Sequence, residues 1–130
     1  MRVFDKKPYE GEPDVRIREV IGKLEQLGSA VVAVRGPGFS ANLAGVVYIG
    51  KDGDDPVLKV EIRGDGCIER CGCHIHLMWS KIHSYVLELE DVGYGPEPVV
   101  YLLDEHAKPV VNLFYPGKTF AEVEAVLASA

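Results

Sequence analysis

Val99-Val100-Tyr101-Leu102-Leu103-Asp104-Glu105-His106-Ala107-Lys108-Pro109-Val110-Val111-Asn112-Leu113-Phe114-Tyr115 decides the fold of this chain. Two apolar runs rich in β-branched and aromatic residues flank a polar turn, which is the pattern of a β-hairpin. Strand side chains alternate between two faces. Both runs are apolar at odd and even positions alike, so each strand needs cover on both sides and belongs at the centre of a sheet.

Working outward, Pro116-Gly117-Lys118 breaks the sheet, and Thr119 opens a closing helix over residues 120–128. Glu122, three residues after Thr119, completes a capping box. Upstream, residues 82–90 read as a strand with Tyr85, Leu87 and Leu89 on one face. Residues 57–63 alternate cleanly: Leu58, Val60 and Ile62 on one side; Lys59, Glu61 and Arg63 on the other. Lys51-Asp52-Gly53-Asp54-Asp55 is a solvated hairpin turn by its Asp and Gly content. Residues 45–49 and 30–35 are further strands, and residues 36–42 read as a loop from their Gly and Pro. Near the start, Val15, Ile17, Val20, Ile21, Leu24 and Leu27 recur at helical spacing. Asp14 is the expected N-cap and Gly28 the stop. Arg16, Arg18, Glu19, Lys23 and Glu25 are assigned to the wet face of that helix. Residues 1–12 read as a loose N-terminal arm before a single domain over residues 13–130. The fold class is α+β: an antiparallel sheet of about seven strands flanked by an N-terminal and a C-terminal helix.

Composition narrows the function. At 130 residues the chain has the length of one domain with a real core. The apolar fraction of 47% and charged fraction of 26% are those of an ordinary globular protein. A net charge of −6 argues against general nucleic-acid or anionic-membrane binding. The first residues lack the apolar segment of a signal peptide, and no run is long enough to span a membrane, so a cytoplasmic location is expected. Three cysteines in a reducing compartment are expected as free thiols or metal ligands.

Most of the unusual chemistry lies in Arg70-Cys71-Gly72-Cys73-His74-Ile75-His76-Leu77-Met78-Trp79. As a strand it places Cys71, Cys73, Ile75, Leu77 and Trp79 on one face, all residues that bury readily. Arg70, His74, His76 and Met78 share the other. Imidazole and thioether are both axial ligands of haem iron, and imidazole also binds zinc. The plainer alternative is a half-buried strand whose polar face happens to hold two histidines. Cys67, Cys71, Cys73, His74 and His76 also make a possible zinc cluster, although zinc sites favour two separated ligand pairs and a regular strand sends Cys73 and His74 to opposite faces. That geometry favours unligated, inward-facing thiols. The same opposition weakens a Cys–His nucleophile, and no orienting acid stands out. Covalent haem attachment needs two residues between its cysteines, and only Gly72 separates Cys71 from Cys73. Binding without turnover is the expected activity.

From His74 onward the chain resembles the haem-utilisation proteins of the HemS and HutX/ChuX type. The matching run is His74-Ile75-His76, Ile82-His83-Ser84-Tyr85-Val86, Val92-Gly93-Tyr94-Gly95, the hairpin Pro98–Tyr115 and the closing helix. It covers roughly half the chain and rests on pattern more than on fixed residues. The resemblance implies an antiparallel sheet with flanking helices, a homodimer, and a role in intracellular haem storage or delivery. It carries the haem-ligand role to His74, with His76 as its neighbour on the same face. Met78 and Arg70 complete the expected haem contacts. Val99, Tyr101, Leu113 and Phe114 are the expected walls of a porphyrin slot, and Arg63, Arg70 and Lys81 the expected partners of its propionates. A dimeric structural or adaptor domain that binds no small molecule stands as the alternative, with the zinc cluster behind it.

Overall fold

The computed structural model describes residues 4–6, 13–63, 71–91, 93 and 95–129. The strands are β1 (Phe4–Lys6), β2 (Ser29–Gly36), β3 (Phe39–Asp52), β4 (Asp55–Ile62), β5 (Cys71–Ile75), β6 (Ser84–Asp91), β7 (Pro96–Leu103) and β8 (Pro109–Phe114). The helices are α1 (Pro13–Leu24) and α2 (Phe120–Ala128). All strand pairs are antiparallel, in the order β1-β6-β7-β8-β2-β3-β4-β5. The expected α+β sheet with a helix at each end is present, and β7 and β8 lie in its interior as their two-sided apolar pattern demands.

The sheet is two meanders joined side by side. β2 to β5 run down one half, β6 to β8 run back up the other, and β8 pairs with β2 through Val31↔Phe114 and Val32↔Leu113. Residues 76–83 cross between them against α1, burying Trp79 and Ile82. A flat sheet would set β5 and β6 six strand spacings apart, roughly 29 Å. The crossing segment contains a 3-10 turn at Trp79–Lys81 and reaches only about 26 Å. The sheet therefore curls over its helices, and α1 meets both β3 and β6.

Both helices lie on the same face. One core cluster holds Ile17, Val20, Ile21 and Leu24 of α1, Val123 and Leu127 of α2, and one alternating set from the strands: Val32, Val47, Leu58, Val60, Tyr85, Leu87, Val100, Leu102, Val111 and Leu113. Among the described residues no helix covers the opposite set, which includes Val31, Ala33, Tyr101 and Phe114. The helices thus cover the central hairpin on one side only, although Val99 and Asn112 on the other side are buried.

Several local expectations need correction. Residues 36–42 are not an open loop: Pro37-Gly38 is a tight turn and β3 begins at Phe39. Its Ser, Ala and Asn residues pair in register with β2 from Gly36↔Phe39 to Ser29↔Val46, and pairing with β4 carries it on to Asp52. Phe4–Lys6, within the expected loose arm, pairs with β6 and makes the eighth strand. Asp14 lies inside α1, which starts one residue earlier at Pro13; a proline at the first helical position loses no hydrogen bond. Arg16 is buried at 6% exposure rather than wet. It stands one turn before Val20, at the margin of a stripe that meets sheet and α2 together, and its Nη1 reaches to 3.9 Å from Glu19. The expected ends hold elsewhere. Gly28 takes φ +81 after a short 3-10 turn, and Thr119 and Glu122 form the reciprocal capping box.

Candidate functional site

β5 is an edge strand, paired only with β4, and the approach is close. A Cβ on Gly72 would sit 2.5 Å from the Val60 carbonyl oxygen and 3.0 Å from Glu61 Cα, both backbone atoms. Glycine is what lets this edge lie down. The register sets His74 opposite Lys59, and Lys59 opposite Tyr48. Tyr48, Lys59 and His74 thus form a polar row on the helix-free face.

Regular pairing ends at Ile75, but the inward–outward alternation continues through the next residues. Ile75 and Leu77 pack against the core. Trp79 is buried, and its Nε1–H donates to the Pro56 carbonyl at 2.9 Å. His74, His76 and Met78 point outward, Met78 at 70% exposure. Cys73 departs from expectation: it is a free thiol, but an exposed one. It shares a row with buried Val60. The helix cover ends there, as Ile62 at 58% exposure in the next row shows. Cys67, Arg70 and the side chain of Cys71 lie outside the described residues.

The two histidines converge on a residue that the sequence placed only in a solvated turn. Asp52, the last residue of β3, has Oδ2 3.0 Å from His76 Nε2 and 3.7 Å from His74 Nε2. The imidazole centroids are 5.1 Å apart, edge to face at 78°. All three side chains are exposed. The signal was the Asp-rich hairpin turn itself, whose solvated reading is right; what could not be read was that β5 would lie beside β4 and bring its histidines to the turn. A cleft of about 90 Å³ lies alongside, lined by Tyr48, Lys59, Glu61, Cys73 and His74 among others. Tyr48 donates to Glu61 Oε2 at 2.6 Å.

The other expected haem residues are not assembled around this point. Leu113 faces the helices and is fully buried. Tyr101 and Phe114 are on the open face, where they help line two hollows beside Ala33 and Arg35, the larger of about 430 Å³. β3 and β4 stand between that region on β2 and the histidines on β5, three strand spacings or roughly 14 Å along the sheet. Arg63 is engaged: it bonds Glu25 at 3.0 Å and Glu61 at 3.2 Å and lies over the Tyr48 ring. Its bonds first to Glu25 and then to Glu61 hold the guanidinium yet more firmly protonated. Lys81 is exposed beside Trp79. Of the remaining histidines, His83 is half-buried, and His106 is exposed on the β7–β8 turn, 3.4 Å from Glu105.

No protein-family model matches the chain, and no curated sequence does. Solved structures do match. The chain is similar to the haem-binding protein ChuX over 98% of its own length and 74% of that chain, with a TM-score of 0.60 at 8% identity. A protein from Erwinia carotovora matches over 99% of this chain and 74% of its own, with a TM-score of 0.61 at 11% identity. Haem-loaded PhuS from Pseudomonas aeruginosa, described as a haem-binding protein, matches over 89% of this chain but only 32% of its own, with a TM-score of 0.54 at 14% identity. The fold is therefore that of the ChuX-type proteins. Among the described residues no helix is long and apolar enough to cross a membrane.

Proposed function

We propose that this protein binds haem non-covalently, with His74 or His76 as axial ligand, and serves in intracellular haem storage or delivery. The observation that carries the reading is the pair of outward imidazoles on one sheet edge, in a fold shared with haem-binding proteins. Neither ring is used by the core. Met78 adds an exposed thioether on the same side, a group with no packing role where it stands and a known partner for haem iron. Arg70, next to β5, is the proposed partner of a propionate.

The cleft beside His74 is too small to enclose a porphyrin. The apolar wall of a porphyrin slot is not built beside His74 by the described residues. The alternative, a dimeric adaptor domain without a small-molecule ligand, is favoured by the hollowed, helix-free face around Tyr101 and Phe114.

Haemin titration followed by absorption separates the readings. A shifted Soret band that is lost in the His74→Ala/His76→Ala double variant supports the haem site. Both side chains are exposed, so the variant is expected to fold. An unchanged spectrum and affinity in a folded double variant would overturn the assignment and turn attention to His83 and His106. No spectral change in the wild type would leave the adaptor reading. An axial imidazole must give its lone pair to iron, so haem binding is also expected to weaken in acid.

A further inference from the structure

Asp52, His74 and His76 come from two parts of the chain, and β4 lies between the strands that bring them. Asp52 ends β3 at the tip of the β3–β4 hairpin. His74 sits in β5 and His76 just beyond it. Their ligand atoms nevertheless lie within 4.8 Å of one another. We propose that this triad is a binding site for one zinc-class divalent transition-metal cation, separate from any role in haem binding.

The distances suit a shared ion. Ligands bound to zinc at ~2.0–2.1 Å in tetrahedral geometry stand ~3.3–3.4 Å from each other. The two Asp52–imidazole distances, 3.0 and 3.7 Å, bracket that spacing. The ligand atoms of His74 and His76 lie within 4.8 Å of one another, and both side chains are exposed. An ordinary Asp–His hydrogen bond would account for His76 alone. The second ring is turned onto the same carboxylate oxygen at 3.7 Å, too long for a hydrogen bond and short enough for a common metal ligand.

The surroundings fix the class of ion. The hairpin turn carries Asp52, Asp54 and Asp55 against Lys51, a local excess of negative charge that draws cations. Two imidazole nitrogens select borderline transition metals over magnesium or calcium, which prefer shells of oxygen. Three protein ligands leave a coordination position for water, and the site is open to solvent. Structural zinc sites use four protein ligands, so this one is exchangeable. It also differs from the cysteine-based cluster considered from the sequence. Cys73 lies in the row of Val60, whereas His74 lies in the row of Lys59, so thiol and imidazole leave opposite faces of the strand.

The site has a consequence for haem, although it does not rest on the haem reading. A cation held by both imidazoles withholds them from iron, so zinc and haem would compete. Asp52 separates the two functions, because the cation needs its carboxylate and an axial imidazole does not.

The test uses the full chain without an affinity tag, titrated with zinc by calorimetry and with cobalt(II) by absorption. One zinc per chain is expected, with a tetrahedral cobalt spectrum lacking a thiolate charge-transfer band. Asp52→Asn, which keeps the shape of the side chain, and His76→Gln should each weaken zinc by at least about tenfold. His106→Ala should not change it. Asp52→Asn should leave the haemin spectrum intact, whatever that spectrum is. Absence of zinc binding at millimolar concentration, unchanged affinity in folded Asp52→Asn and His76→Gln, or a thiolate band with cobalt would each overturn the proposal.

Discussion

Gly72 and Cys73 show how much a single position on an edge strand decides. Gly72 has no side chain, and β4 backbone fills the space where one would be. Gly72→Ala is therefore expected to push β5 away from β4 and cost about 1–3 kcal/mol, read as a lower urea midpoint. Because β5 carries His74, zinc affinity should fall with it. Cys73, the next residue, points toward the helix side and is still exposed. Alternation tells which face a side chain takes. Whether that face is covered at a given row depends on where a helix far away in sequence ends. The same gap hid Asp52. Its acidity and its place in a turn were legible, but its imidazole neighbours are more than twenty residues further along the chain.

At the scale of elements, local signals worked best where the partners are close in sequence. The cap of α2 is complete: the Glu122 N–H donates to Thr119 Oγ1 at 3.1 Å, and the Thr119 N–H donates to Glu122 Oε1 at 3.1 Å. Thr119→Ala should destabilise the protein by about 1 kcal/mol. The bonds from the Thr119 backbone and then its hydroxyl hold the Glu122 carboxyl below its ordinary value of 4.5. Asp104 is likewise held below 3.8, chiefly by the backbone N–H of Lys108 and further by that of His106. A depressed carboxyl stabilises the fold above its unfolded-state value and ceases to do so as the pH falls through its folded-state value. The contribution of Glu122 is thus intact at neutral pH and is lost below about 4.5. Urea midpoints at pH 6 and pH 3 should fall further for the wild type than for Glu122→Gln; equal falls would show that the box is not coupled to stability. β3 is the contrasting case. Phe39-Ser40-Ala41-Asn42 has little strand character of its own, and pairing with β2 makes it strand.

For the whole molecule, the arrangement of both helices on one face of the sheet leaves the other face without a helix among the described residues. Tyr101 and Phe114 are half-buried there, and Asn112 Oδ1 and Glu90 Oε2 are buried with no hydrogen-bond partner among the described residues. Buried polar atoms in native proteins are normally paired. A homodimer seated on this face would bury Tyr101 and Phe114 further. Sedimentation is expected to give a dimer at micromolar concentration. Phe114→Glu should convert it to a folded monomer, since that side chain faces away from the core cluster. A wild-type monomer would rule the arrangement out.

The sequence by itself determined the α+β class, the identity of nearly every strand, the capping of α2 and the outward direction of His74, His76 and Met78. Each of these follows from spacing over a few residues, through the period-two alternation of a strand or the reach of a capping side chain. Only the tertiary structure decided which face both helices cover, where that cover stops short of Cys73, and that β5 would bring two imidazoles to the carboxylate of Asp52. It also separated the expected porphyrin walls on β7 and β8 from the expected ligands on β5 by four to five strand spacings. Those outcomes depend on strand order and on where the chain crosses the sheet. Both are set by the packing of residues distant in sequence, so no local pattern encodes them.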